Sequence, residues 1–403
     1  MLFDPARHEP LVGRRWDADA ARAAIAAIVD DTLAAYSPDG LWPPHPLDLE
    51  VGDDRRAPST GTYMGAAGVI RALDWLARAG ATRRHRDFAR GLPDLLARNV
   101  EQVTPWGHGI DGLLVGRAGV LLLSCRLSPS AANDDLLAAS IAANAGHPSK
   151  ELLWGTPGTM HAALEMYERS GEERWAELFR RDARALARSF SYFAQAGCHL
   201  WTRDLYGRRD ALLGAAHGFA GNAGVIIRGL PLLAQAEQTW WIERIVETAS
   251  ATAMRDGAQA NWPPAFAAAP AHASKRLVQW CHGAPGIVTS LCDLRDSRLD
   301  ALLLAAGELI WAAGPLTKGA GLCHGTAGNG WAFLKLFRRT GDDLWLDRAR
   351  AFAMHAIDQN DRHLGEYRMR RHSLFTGDPG LAIYLWSCIS GDDRWPLIDR
   401  TRA

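Results

Sequence analysis

The chain has 403 residues, 48% of them apolar and 22% charged, which is enough apolar material for a large core and too little charge to keep it unfolded. Lys plus Arg and Asp plus Glu both number 45, so the formal net charge is zero and nothing points to a nucleic-acid surface. No window offers about 18 uninterrupted apolar residues for a membrane span, the best stretch, 301–316, being broken by Gly307, Glu308 and Gly314.

The first 15 residues lack a basic segment followed by an apolar one, so they read as an arm and not as a secretory signal. The six cysteines form no compact disulfide framework, which fits a cytoplasmic protein. From Trp16 to Tyr36 the apolar positions Ile25, Ile28, Val29 and Leu33 follow helical spacing.

A Gly-x-x-Gly unit followed by an apolar run then recurs seven times, beginning at Gly65, Gly116, Gly155, Gly218, Gly283, Gly325 and Gly377. The first glycines lie 51, 39, 63, 65, 42 and 52 residues apart, a spacing typical of repeats built from paired helices. Runs such as 331–337 (WAFLKLF) are apolar almost all round, as expected of helices buried on most sides. A second turn signal, Ser/Thr-Gly-acid-acid-x-Trp, follows at 170–175, 340–345 and 390–395. Its glycine suits a left-handed helix end, its acids suit the start of the next helix, and its tryptophan is expected to pack inward. From Trp175 onward, Leu178, Phe179, Ala183, Leu186 and Ala187 share one face, with Arg180, Arg181, Arg184 and Arg188 opposite. No run sustains β alternation. The expected fold is all-α: a closed α/α toroid, a double-layered ring of seven helical hairpins, forming one domain over 1–403 with 1–15 as its arm. An open solenoid is the alternative, but its terminal repeats should be polar caps, which Gly65 to Gly68 and Gly377 to Gly380 do not resemble.

Two units differ from the rest. Trp280-Cys281-His282-Gly283 and Leu322-Cys323-His324-Gly325 place a Cys-His pair directly before the helix, within 43 positions of each other. Catalytic zinc takes three protein ligands and keeps a position open, and Cys281, Cys323 and His324 would supply that set. Thiolates near helix N-termini are favoured by the dipole. Cys125, Cys198, Cys292 and Cys388 have no such neighbours and read as core or surface thiols.

These segments, with Gly214-Ala215-Ala216-His217-Gly218, Glu151-Leu152-Leu153-Trp154-Gly155 and Ser373-Leu374-Phe375-Thr376-Gly377, resemble the signatures of the lanthionine synthetase C-like family in the same order. The resemblance runs from about residue 60 to about residue 390. It implies an α/α toroid with a central zinc held by Cys281, Cys323 and His324, with His282 a neighbour near the substrate and not a ligand. The reaction it implies is addition of a cysteine thiol to dehydroalanine or dehydrobutyrine, giving a thioether. Family pattern places a functional histidine at His217 and an acid at Glu151, where several cyclases have Asp. His217 is then the expected general acid at Cα, with Glu151 orienting it or helping remove the thiol proton.

In eukaryotic-type members a lysine at the position of Lys318 contacts glutathione, and the Trp-Cys-His-Gly-Ala-Pro-Gly spelling resembles that branch. The expected partners are therefore a dehydrated peptide or protein and either glutathione or a peptide cysteine, with a dehydratase as a further candidate. Arg117, Arg368, Arg370 and Arg371 are basic candidates for substrate carboxylates or dehydration-site phosphates. Two other classes fit parts of the pattern. A glycosidase on a related toroid would need two carboxylates across the cavity, where these turns carry Cys and His; a non-catalytic zinc- and glutathione-binding scaffold would keep the fold without turnover.

Overall fold

Each Gly-x-x-Gly unit opens an inner helix, and the first glycine is its N-cap in all seven cases. In the computed structural model, which describes residues 1–49, 57–107, 110–205, 207–266 and 275–399, these helices are α2 (Ala66–Arg78), α4 (Arg117–Leu127), α6 (Thr156–Ser170), α8 (Phe219–Gly229), α10 (Ala284–Leu291), α12 (Thr326–Thr340) and α14 (Asp378–Ser390). The remaining parts of the expected 1–403 domain, 50–56, 108–109, 206, 267–274 and 400–403, lie outside the described residues. The outer layer consists of α1 (Ala18–Ala34), α3 (Leu92–Val103), α5 (Ala131–Ala143), α7 (Glu173–Ser189), α9 (Gln235–Ala251), α11 (Asp300–Ala313) and α13 (Asp343–Tyr367). The result is the double-layered α/α toroid. Its inner helices are buried nearly all round, whereas α7 buries Trp175, Phe179, Ala183 and Leu186 and leaves its arginine face outward.

The second glycine of each unit has a common steric reason. A Cβ on Gly68, Gly119, Gly158, Gly221, Gly286, Gly328 or Gly380 would lie 1.8–2.2 Å from the carbonyl oxygen six residues earlier, so only glycine lets the chain fold back over the helix start. The turns are then joined backbone to backbone around the centre. Tyr63 N–H donates to Leu114 O, Leu114 to Leu153, Leu152 to Ala216, Cys281 to Cys323, Cys323 to Phe375 and Phe375 back to Tyr63, at 2.7–3.3 Å. Between the fourth and fifth turns Gly214 lies against Cys281 O, where a Cβ would sit only 1.9 Å away.

Closure comes from the two ends of the chain. The outer partner of α14 is α1, the first helix, so the last hairpin joins residues near both termini and no solenoid end is left open. This corrects the reading of the third Ser-Gly-acid-acid signal. Gly171, Gly341 and Gly391 all close inner helices in the left-handed conformation, and Trp175, Trp345 and Trp395 are all buried. Among the described residues, however, no helix follows Gly391. Pro396 disfavours the helical conformation for Trp395, and α1 already covers α14.

The expectation of no β structure is also corrected locally. Short hairpins occupy the α7–α8 and α9–α10 connections: β1 (Ser191–Phe193) pairs β2 (Cys198–Leu200), and β5 (Met254–Asp256) pairs β6 (Gln259–Asn261). In a three-stranded sheet β4 (Arg208–Leu212) lies between β3 (Arg203–Leu205) and β7 (Ala265–Phe266). Among the described residues no strand exceeds five residues, too short to leave an alternation in the sequence. The four other cysteines, Cys125, Cys198, Cys292 and Cys388, are core residues, and burial pushes the Cys292 and Cys388 thiols up to about 12. Among the described residues no helix is long and apolar enough to cross a membrane.

The N-terminal arm packs on the ring. Glu9 N–H donates to Pro315 O, Thr317 N–H donates to Arg7 O, and the Glu9 carboxylate takes His355 and Gln359 at 2.7 Å and Arg362 at 2.6 Å.

Candidate metal centre and its surroundings

The turn before α10 carries Cys281 and His282, and the turn before α12 carries Cys323 and His324. The backbone bond between Cys281 N–H and Cys323 O, 3.1 Å, sets the two turns side by side. Gly283, at φ +107°, supplies a conformation that side-chain-bearing residues rarely adopt just where the first turn enters its helix. One ligand atom each from Cys281, Cys323 and His324 then lie within 4.8 Å of one another. Both cysteines are buried and His324 is half-buried.

The two thiols divide their titration unequally. The hydrogen bond from Cys323, followed by one from His324 and the nearby His282, draws the Cys281 thiol well below its usual range against the opposing effect of burial. Burial, followed by the hydrogen bond and charge of Cys281, holds the Cys323 thiol well above it. Two sulfurs and one imidazole nitrogen are a donor set that suits zinc, and a three-residue set leaves the fourth position of a tetrahedral ion for another ligand.

Residues that the sequence motifs did not single out complete the surroundings. Gln279 Nε2 donates to Cys281 Sγ at 2.8 Å, and its Oε1 accepts from Arg7 Nη2 of the arm at 3.0 Å. Tyr63 hydrogen-bonds Cys323, and burial followed by the two thiols pushes the phenol well above its ordinary range. A polar residue two positions before Cys281 and a tyrosine in the first Gly-x-x-Gly turn were the available hints.

On the neighbouring turn His217 Nδ1 lies 2.9 Å from Glu151 Oε2. Glu151 is fully buried, and its Oε1 accepts from Trp154 N–H at 2.7 Å, so the carboxylate is held at both oxygens. The His217 and His282 rings stack with centroids 5.6 Å apart. Burial lowers His282 to about 4, and its Nδ1 has no hydrogen-bond partner among the described residues.

Lys318 is exposed, lies close enough to Cys323 to lower its thiol, and lines a narrow pocket with His45, His363, Arg371 and Asp378. Three of the four other basic candidates are committed to neighbours. Arg117, the first residue of α4, pairs with Asp111 at 2.5 Å, Arg370 is buried on Asn360 and Asp378, and Arg371 pairs with Asp48. Arg368 ends α13 in the left-handed conformation and is exposed. The geometry thus joins Cys281, Cys323 and His324 closely, adjoins His217, Glu151 and His282, borders Lys318, and gives Arg117 no contact with that group.

The solved structure of a nisin cyclase is similar over 94% of this chain and 96% of its own, with a TM-score of 0.61 at 14% identity, which is a likeness of fold. A 115-residue stretch is 41% identical to the glutathione S-transferase LANCL1 of Danio rerio, covering 27% of this chain and 28% of that protein. An 85-residue stretch is 46% identical to the LanC-like protein GCL1 of Arabidopsis thaliana, covering 19% of each. The matched stretches therefore span under a third of either relative. Residues 51–400 match the family described as lanthionine synthetase C-like protein, and with its ring of glycine turns and its Cys-His-Gly pair the chain belongs to that family.

Proposed function

We propose that this protein, working as one domain with its N-terminal arm, is a zinc enzyme that adds a cysteine thiol to dehydroalanine or dehydrobutyrine residues, forming a thioether. The observation that carries the reading is the convergence of Cys281, Cys323 and His324 within 4.8 Å at the ring centre. These three residues would hold the ion. When bound, zinc supplies Lewis acidity that lets a thiol lose its proton near neutral pH.

The chain's own residues account for the rest. The thiol sulfur forms its bond to Cβ, the carbon–carbon π pair moves onto Cα as an enolate, and a proton must arrive at Cα. Glu151 engages His217 Nδ1 and so leaves Nε2 for that transfer. The proton given up by the thiol restores the imidazolium, so the cycle balances. Lys318 supports glutathione as the donor, since its ammonium borders the metal group where a carboxylate of the tripeptide can be met. The name of the Danio rerio relative points the same way. The acceptor is a dehydrated peptide or protein, and a dehydratase is the partner that would produce it. The reading is tested by mixing protein, glutathione and a dehydroalanine peptide and following the adduct by mass spectrometry. Stoichiometric zinc without adduct would favour a non-catalytic zinc- and glutathione-binding scaffold.

A further inference from the structure

His-Gly-x-x-Gly is followed directly by asparagine in two units, from His217 to Asn222 and from His324 to Asn329. The third such stretch, from His282 to Gly286, is followed by Ile287 instead. The asparagine thus accompanies the histidine paired with Glu151 and the histidine of the metal group, and is missing where the histidine belongs to neither. In the other units the same position holds Val69, Val120, Thr159 and Leu381.

Both asparagines make the same contact. Each is the fourth residue of its inner helix, α8 or α12, and reaches sideways to the turn before it. Asn222 Nδ2 donates to Lys150 O at 2.9 Å, and Asn329 Nδ2 donates to Val278 O at 2.8 Å. Lys150 and Val278 hold matching places, five residues before Gly155 and Gly283. One link therefore joins the His217 unit to the residue before Glu151, and the other joins the Cys323 and His324 unit to the segment that leads into Cys281.

Fold stability alone does not account for these links. Both side chains are fully buried, and each Oδ1 has no hydrogen-bond partner among the described residues. That is a cost which the valines, isoleucine and leucine of the other units avoid. Thr159, the other polar residue at this position, donates its hydroxyl to Thr156 O of its own helix. Lys150 adds a second cost: its φ of +46° is left-handed, which residues with a Cβ rarely adopt. Asn222 holds its carbonyl, and its Nζ donates to Thr202 O at 3.0 Å. Backbone strain kept in place by its surroundings is characteristic of functional positions, and the next residue here is Glu151.

We infer that Asn222 and Asn329 are positioning residues, one clamp used twice. Asn222 fixes Lys150, and through it Glu151, against His217; Asn329 fixes the approach to Cys281 against Cys323 and His324. The inference rests on the roles proposed above for those side chains, through which both asparagines act.

The test uses the zinc-loaded full-length protein with Asn222→Leu and Asn329→Leu, which roughly keep the volume and remove the donor. Two readouts need no turnover. The His217 tautomer is read from the nitrogen chemical shifts of its ring, assigned with the His217→Asn variant, and zinc affinity is read by chelator competition. Asn222→Leu should spread the ring proton over both nitrogens and leave zinc affinity unchanged, while kcat for thioether formation falls about tenfold or more at constant KM. Asn329→Leu should weaken zinc binding about tenfold or more and leave the tautomer as it is. Thr159→Val, at the same helix position, should move neither readout. Asn222→Ala and Asn329→Ala, which introduce no clash, should give the same split where leucine is not accommodated. Both readouts moving together in either variant, neither of them moving, or Thr159→Val reproducing the changes would overturn the inference. The split without adduct formation by any of the proteins would leave the clamps standing and count against the reaction assignment instead.

Discussion

His217 and Glu151 are 66 residues apart in the chain, yet Nδ1 and Oε2 meet at 2.9 Å, and the carboxylate's other oxygen is held by Trp154 N–H. An imidazole fixed in this way has one defined tautomer and one available nitrogen. Glu151→Gln keeps the shape and removes the charge, so zinc content should persist while kcat for thioether formation falls by about 10²-fold or more. His217→Asn should do the same. Metal analysis beside steady-state rates checks both, and an unchanged rate in either would remove the pair from the chemistry.

The turn that carries Cys323 and His324 depends on Gly328, whose added Cβ would lie 1.8 Å from Leu322 O. Gly328→Ala should cost about 1–3 kcal/mol of stability and displace the ligands, so zinc is lost with it. Gly341→Ala is the matched control. Gly341 is left-handed at φ +73° with no atom within 4 Å of an added Cβ, so a cost of about 1 kcal/mol is expected with zinc retained. Urea melts and metal stoichiometry together separate the two outcomes.

For Lys318, an exposed side chain beside Cys323, the expectation concerns substrate and not fold. Lys318→Ala should raise KM for glutathione by about tenfold with little change in kcat or in thermal stability. Equal KM values would move the donor-binding role elsewhere.

Acid should weaken the fold through two histidines away from the metal group. Burial, aided by Arg371 and His363, lowers His45 to about 4 against the pull of Asp48. Burial, aided by Arg370 and His45, lowers His372 to about 4 against Asp31. Both are neutral in the fold and would be charged in the unfolded chain below about 6.5, so the unfolded state takes up more protons. Stability is therefore complete above pH 6.5 and lost as pH falls toward 4, by about 2 kcal/mol per histidine at pH 5. Unfolding midpoints at pH 7 and pH 5 should differ accordingly, and His45→Gln with His372→Gln should flatten the difference.

Much of the architecture was legible because each repeat announces itself by a steric necessity. The second glycine of every Gly-x-x-Gly unit faces a carbonyl oxygen that no Cβ could approach, so the seven inner helices could be placed from glycines alone. Cys281, Cys323 and His324 stood out because rare residue types recurred in matching turns. Gln279, Tyr63 and Arg7 did not, since one hydrogen bond to a sulfur or to a neighbouring amide needs no fixed spacing and leaves no periodic mark. The β hairpins were hidden by their length, three residues in β1, β2, β3, β5 and β6. The ring's closure by α1 on α14 was hidden for a different reason: it is a contact between sequence ends, and the third turn signal looked like the start of another outer helix until Pro396 is taken into account.

The most direct measurement is thioether formation by the zinc-loaded protein, with glutathione and a dehydroalanine peptide, compared with the Cys323→Ala variant. The expected result is a glutathione–peptide adduct with one zinc per wild-type chain, and loss of both metal and adduct in the variant. A wild-type protein that holds zinc and forms no adduct above the uncatalysed rate, or a Cys323→Ala protein that forms it equally fast, would contradict the assignment.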